Sequence, residues 1–454
     1  ANAGSATFMN AFNTINGVPA SMHKHLITNI LRGEWTWKGL VVSDWDSFGE
    51  VIIHGAAADD EEASAKCITA GSDMDMAGGT FQRGLKKAID NGKVTNAQLD
   101  EAVRRVLRLK YMLGLFDDPF KYLDPQRRAA TLEKAEFRQT AREAAAKSMV
   151  LLKNDGGLLP LNPSGPFRKI AIIGPLADSR SYKDYMSFWT LGIGVRDYDS
   201  TKVVTPAMAL KPALEALGFE VTVVQSDLSA ASDEAAYSAS IEAAKGADLI
   251  IACVGERGLD CGENRSLTDI NLPRGQERFL RIATSNGVKP TVMVLFNSRP
   301  LTFPWAGENI ESILVAWQPG FETGNALADI LTGKENPGGK LPLTFPRSLG
   351  QVPIYYNALN TGRPIEREDK VWASRYLDSP NSPAYPFGFG LSYTSFAISN
   401  VATDKKTFDV NDTVTLKCTI KNTGQLEGAE VLQLYASQPV CSVLRPQKEL
   451  KAFE

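Results

Sequence analysis

Apolar and polar positions over residues 6–120 follow two periods. Thr7-Phe8-Met9-Asn10-Ala11-Phe12 and Gly39-Leu40-Val41-Val42-Ser43-Asp44 are short apolar runs that predict buried strands, and Ile68-Thr69-Ala70-Gly71-Ser72-Asp73-Met74-Asp75-Met76 predicts a third. Between the first two, Leu26, Ile27, Ile30 and Leu31 recur at helical spacing. Strand, helix and strand joined by short links predict parallel pairing. The best-defined helix is expected over 96–113, with Thr95 as its cap, Gln98 three positions on, an apolar stripe of Leu99, Val103, Val106 and Leu107, and Gly114 to end it.

A second helical pattern covers residues 134–149, and the turn Asn154-Asp155-Gly156-Gly157 follows. Five apolar strands are then expected at Lys169–Ile173, Phe219–Val224, Asp248–Val254, Thr291–Phe296 and Ser312–Trp317, with helices between them. That alternation predicts a parallel sheet covered on both faces, whose ligands bind beyond the carboxyl ends of the strands. From about Phe396 the pattern changes to short alternating strands, including Thr413–Ile420 and Glu430–Tyr435, joined by the turn Asn422-Thr423-Gly424. This predicts the start of a β-sandwich, shorter than the roughly 100 residues such a fold usually takes.

Composition narrows the class. The 454 residues have 49 Lys plus Arg against 52 Asp plus Glu, a formal net charge of −3, which leaves no basic excess for a nucleic acid or an anionic membrane. No apolar run reaches the roughly 18 residues of a membrane helix, so neither nucleic acid nor membrane is an expected partner. Five cysteines are too scattered for a disulfide scaffold, with Cys418 and Cys441 the one pair expected to bridge. His23 and His25, at alternate positions, do not share a helix face, so a solvated loop or helix start is expected there and no metal site.

Two places can carry chemistry. At Val41-Val42-Ser43-Asp44-Trp45 an apolar strand stops and delivers a carboxylate followed by an indole. In a β/α barrel Asp44 would point into the mouth, and Trp45 offers a flat face suited to a sugar ring; otherwise Asp44 caps the next helix and Trp45 packs under a loop. The second place is the loop Gly255-Glu256-Arg257-Gly258-Leu259-Asp260-Cys261-Gly262-Glu263-Asn264-Arg265 after the third strand of the parallel sheet. Loop position does not rank Glu256, Asp260 and Glu263, each of which is equally readable as a solvated carboxylate. Two carboxyls facing across a sugar would serve glycoside cleavage, one ionised to attack and one protonated to release the leaving oxygen. The turn Ile173-Gly174-Pro175 lacks GxGxxG and GxxxxGK, which weakens a nucleotide-binding reading.

Phe8 to Pro19, Gly39 to Trp45, Ala70 to Met76, Leu151-Leu152-Lys153-Asn154, Asn336-Pro337-Gly338-Gly339-Lys340-Leu341-Pro342 and Tyr385 to Tyr393 together resemble the β-glucosidases of glycoside hydrolase family 3, in the same order along nearly the whole chain. The resemblance implies an α/β fold: a partial (β/α)8 barrel comprising its last strands (1–125), a linker (126–165), an α/β sandwich (166–350), connecting loops (351–394) and an incomplete fibronectin type III-like domain (395–454). It implies Asp44 as nucleophile, Trp45 as the aromatic stacked on the sugar, Met9 and Phe12 as substrate-binding positions, and Glu263 as acid/base with Glu256 in reserve. Phe12 falls where many relatives carry a tyrosine, so that hydroxyl contact is absent here. Ser374-Arg375-Tyr376 also resembles these enzymes and is a candidate subsite lining.

The implied activity is retaining, exo-acting removal of terminal β-D-glucosyl residues from oligosaccharides or aryl glucosides, with no cofactor and no metal. A β-xylosidase of the same family and a non-catalytic sugar-binding module are the alternatives. A barrel takes roughly 250 residues, so the resemblance places an amino-terminal barrel segment, bearing residues that hold the glucose hydroxyls, upstream of this chain. That segment and a second copy of the chain are the expected protein partners, and the expected compartment is periplasmic or secreted.

Overall fold

The computed structural model describes residues 3–132, 134–179, 185, 202–226, 234–365, 370–409 and 411–454. It has two compact units, Ala1–Leu132 and Glu133–Glu454.

In the first unit, β1 (Thr7–Met9) is followed by a small hairpin of β2 (Thr14–Ile15) and β3 (Val18–Pro19), then β4 (Leu40–Trp45) and β5 (Met74–Met76). The strands β1, β4 and β5 form a parallel sheet in that order, an open arc of a (β/α)8 barrel. The helix expected between β1 and β4 is present at His25–Glu34, wound as a π-helix, and its Ile27 and Leu31 pack with Trp37, Val41 and Ala70. Helices α1 (Ser47–Ile53), α2 (Asp60–Ala70), α3 (Thr80–Asp90) and α4 (Asn96–Met112) follow.

Three expectations change here. The run 68–76 is not one strand: Ile68, Thr69 and Ala70 complete α2, Gly71 ends it at φ 102°, and only Met74–Met76 pairs. Asp59 caps that helix by accepting the Glu62 N–H, so its apolar end residues belong to a helical face that the short run concealed. On α4 the Thr95/Gln98 capping box forms, but its buried residue is Ala102, while Val103 and Leu107 stay 45% exposed. His23 is buried at the entry of the π-helix, where Nδ1 accepts the Leu26 N–H at 3.4 Å.

The second unit centres on a six-stranded sheet, β6 (Val150–Asn154), β7 (Lys169–Gly174), β8 (Glu220–Gln225), β9 (Leu249–Gly255), β10 (Thr291–Phe296) and β11 (Ser312–Val315), in the order β6-β11-β10-β9-β7-β8. The five expected parallel strands are joined by β6, antiparallel on β11. Alternate residues divide between two cores: Ile170, Ile172, Ile251, Val292 and Val294 face one, and Ala171, Ile173, Ile250, Met293 and Leu295 the other. A sheet apolar on both faces is what a doubly covered parallel sheet requires.

Beyond it, β12 (Phe396–Thr403) pairs with β13 (Leu416–Asn422), and β14 (Gln433–Ala436) with β15 (Glu449–Phe453), as two antiparallel ladders. The expected Cys418–Cys441 bridge is absent and both thiols are free. Cys418 lies on β13 and Cys441 in the loop between β14 and β15, on separate two-stranded sheets, so strand-rich surroundings did not make them neighbours.

Candidate active site

In the first unit β4 is the middle strand, so its carboxyl end is flanked on both sides. Leu40 and Val41 are buried, and the strand ends on half-buried Asp44 and exposed Trp45. Val42 pairs with Met74 and Trp45 with Met76, so Ser43 and Asp44 together oppose the single Asp75. This is a β-bulge, a device that redirects side chains at strand ends. Trp45 N–H donates to Asp44 Oδ1 at 2.6 Å, which fixes one carboxylate oxygen. Asp44 therefore does not cap the next helix: Asp46 occupies that position, in the left-handed region at φ 57°.

Met9 ends β1 opposite Val42, with its side chain exposed. Half-buried Phe12 follows in the loop, and its carbonyl contacts His54 Nε2 at 3.1 Å. Met9, Phe12, Asp44 and Trp45 thus all lie at or just past the carboxyl ends of adjacent parallel strands, and Trp45 is 64% exposed, as a stacking platform needs.

Beneath this end lies polar scaffolding that the sequence did not single out. Buried Asp73 accepts the Val41 N–H at 2.9 Å and Arg32 at 2.6 Å on Oδ2, and Arg105 at 2.6 Å on Oδ1. Asn10 Nδ2 donates to Ser72 Oγ at 2.9 Å, and Ser72 Oγ donates to the Ser21 carbonyl at 2.8 Å. The signal available was a carboxylate inside the apolar segment 68–76, since a buried charge needs partners.

In the second unit the loop after β9 separates the three acidic candidates. Glu256 is 1% exposed, with Oε1 2.8 Å from Arg299 Nε and Oε2 accepting the Ser298 N–H at 3.0 Å. Asp260 is clamped by Arg274 through two hydrogen bonds of 2.7 Å and by Arg257. Burial works to raise its pKa, but the hydrogen bonds from Arg274 and Arg257 outweigh it and hold the carboxyl well below the usual range. Glu263 is exposed, beside a shallow recess of about 450 Å³ lined by Gly262, Asn264, Arg265, Ser266, Ser298 and Arg299. The loop can leave the sheet this way because Gly255 has φ 127°, and a Cβ there would meet the Phe296 carbonyl oxygen at 1.9 Å. Among the described residues no group of three metal-ligating side chains occurs. The resembling segment Ser374-Arg375-Tyr376 is largely exposed, with the Ser374 N–H donating to the Arg363 carbonyl at 2.8 Å.

The Asp260 clamp predicts a pH dependence. Its folded pKa is depressed, so its stabilisation is present above the ordinary carboxylate pKa and fades as pH falls towards the folded value. Asp260→Asn is expected to lower unfolding stability by about 2 kcal/mol at pH 7. In urea titrations the gap between parent and variant should narrow at pH 3, and a gap unchanged between the two pH values would contradict the clamp.

Comparison with known proteins gives a consistent result. Residues 2–109 match the glycosyl hydrolase family 3 N-terminal domain, and residues 149–393 the glycosyl hydrolase family 3 C-terminal domain. The chain is 41% identical to a periplasmic β-glucosidase of Salmonella typhimurium, and 35% identical to a β-xylosidase of Formosa agariphila, over its full length in both cases. Among solved structures it is similar to a β-glucosidase from Listeria innocua in complex with isofagomine, with a TM-score of 0.90 at 38% identity over the whole chain. The chain spans 61% of the Salmonella protein, 62% of the Formosa protein and 61% of the Listeria chain. No helix among the described residues is long and apolar enough to cross a membrane. Two family domains in sequence, covering most of the chain, and a fold shared with a β-glucosidase lead to one assignment: this chain belongs to glycosyl hydrolase family 3.

Proposed function

We propose that the protein is a retaining, exo-acting β-glucosidase, with Asp44 as nucleophile and Glu263 as acid/base. The observation that carries the reading is the Asp44 carboxylate at the bulged carboxyl end of β4, beside an exposed indole, in a chain similar to β-glucosidases. In the first step an Asp44 oxygen attacks C1, the glycosidic C–O bond breaks, and Glu263 gives its proton to the departing oxygen. In the second step Glu263, now a carboxylate, takes a proton from water. The water oxygen attacks C1, the ester to Asp44 breaks, and glucose leaves with its β configuration kept. Acid, base and nucleophile are all supplied by carboxyl groups, so the scheme draws on no metal or organic cofactor.

Glu263 is preferred to Glu256 because Glu256 is buried and committed to Arg299 and Ser298, whereas Glu263 lies exposed beside a recess. Trp45, Met9 and Phe12 are proposed to contact the sugar. The substrate class is a β-linked gluco-oligosaccharide or aryl glucoside, and the Salmonella relative makes a periplasmic location the natural proposal. The activity is proposed for the polypeptide with a closed barrel, so the activity tests use that full-length form.

Glu263→Gln separates the two glutamates. For a substrate with a poor leaving group kcat/KM should fall roughly 10²–10⁴-fold, while dinitrophenyl glucoside, which leaves unaided, should form the glycosyl-enzyme at close to the parent rate. Equal losses on both substrates would remove Glu263 from the acid role. The β-xylosidase relative favours a second reading, and comparison of nitrophenyl glucoside with nitrophenyl xyloside decides between them: a higher kcat/KM for the xyloside would replace the glucosidase assignment.

A further inference from the structure

The bulge in β4 is closed by one side chain. Met76 N–H, which in an unbroken ladder would donate to a β4 carbonyl, donates instead to Ser43 Oγ at 2.7 Å. The same hydroxyl donates its proton to the Asp44 carbonyl at 2.7 Å, and Ser43 is fully buried. Past the gap the ladder resumes, with the Asp46 N–H donating to the Met76 carbonyl at 2.9 Å. The hydroxyl thus uses its one proton and one lone pair to replace a missing rung.

The Asp44 carbonyl and the Trp45 N–H belong to a single planar peptide. Ser43 holds the carbonyl end of that plane, and the other end donates to Asp44 Oδ1 at 2.6 Å. Rotating the peptide away from Ser43 would swing the N–H off the carboxylate. We propose that Ser43 is a positioning residue for the reaction: by clamping the Asp44–Trp45 peptide across the bulge, it sets the direction of the carboxylate that attacks the sugar. This rests on Asp44 being the nucleophile. Asp73 holds the strand earlier, at the Val41 N–H, whereas Ser43 holds the Asp44 carbonyl itself.

The test is the rate at which the full-length protein is trapped by a 2-deoxy-2-fluoro glucosyl fluoride, with the adduct mapped by peptide mass spectrometry. Ser43→Ala is expected to slow the inactivation step roughly 10- to 100-fold, since misplacing a reacting group by about 1 Å costs up to 10²-fold. The concentration for half-maximal inactivation should stay within about threefold, because the sugar contacts are untouched. Ser64→Ala is the control for lost stability alone: Ser64 is equally buried and donates to the Thr80 carbonyl at 3.0 Å, away from β4. It should lower the unfolding temperature and leave the trapping rate at the parent value. Should Ser43→Ala not fold, Ser43→Cys takes its place, its weaker S–H group predicting a loss in the same direction. Trapping of the folded Ser43 variant at the parent rate, or an equal loss in Ser64→Ala, overturns the positioning role. A parent adduct on a residue other than Asp44 overturns the nucleophile assignment instead, and the positioning role falls with it.

Discussion

Asp44→Ala in the full-length protein is expected to lose roughly 10⁴-fold or more in kcat on aryl glucosides, the scale on which removing a covalent nucleophile acts. Binding should survive. The carboxylate sits half-exposed at the end of β4, and among the described residues its hydrogen bond is from the Trp45 N–H to Oδ1, so its removal orphans that amide at a partly open position. A competitive inhibitor such as glucose should therefore bind the variant within about threefold of the parent affinity. Added azide should restore turnover in part and give the glucosyl azide of opposite anomeric configuration, because the small anion enters where the carboxylate was. A variant keeping a tenth of parent turnover would show that Asp44 does not attack the sugar.

The second large effect concerns stability. Asp73 is 7% exposed and pairs with two arginines while accepting the Val41 amide, so Asp73→Ala takes from Arg32 its paired carboxylate, leaves Arg105 with Glu101 alone at 3.1 Å, and orphans a strand amide. Breaking one side of a buried ion pair costs about 3–5 kcal/mol. The first unit is thus expected to unfold at much lower urea, read as early hydrogen exchange in peptides spanning β4, with the second unit's transition unchanged. Replacing the whole cluster with Asp73→Leu, Arg32→Met and Arg105→Met should cost less than Asp73→Ala alone, since it leaves no buried charge behind. If the single variant unfolds with the parent, the cluster does not hold β4.

What the sequence made legible follows from how local each signal is. Thr291–Phe296 is recovered residue for residue, because a six-residue apolar run buried on both faces depends on nothing outside itself. The start of α4 is legible for the same reason: Thr95 and Gln98 satisfy each other's amides within one turn. Its stripe was not, since which helix face is covered is decided by neighbours, and those chose Ala102 over Val103 and Leu107. Ile68 and Ala70 were misread because a helix end and a three-residue strand lie side by side in one apolar segment, and apolarity alone has no period over so few positions.

The candidate site divides along the same line. Asp44 stood out as a polar residue closing an apolar strand, and that placement needs only the strand itself. Ser43 did not, because its function arises from a register shift against β5, which no single segment encodes. Glu256 and Glu263 looked alike in the sequence, both acidic and flanked by glycine. What separates them is Arg299, delivered by the end of β10, which claims Glu256 and leaves Glu263 exposed.

A covalent glucosyl-enzyme is expected on the carboxylate at the end of β4. The decisive experiment incubates the full-length protein with a 2-deoxy-2-fluoro glucosyl fluoride, digests it, and sequences the labelled peptide by tandem mass spectrometry. One glucosyl unit per active chain is expected, on the peptide that contains Asp44 and on Asp44 itself. A label on another carboxylate, or turnover that inverts the anomeric centre and leaves no label, would contradict it.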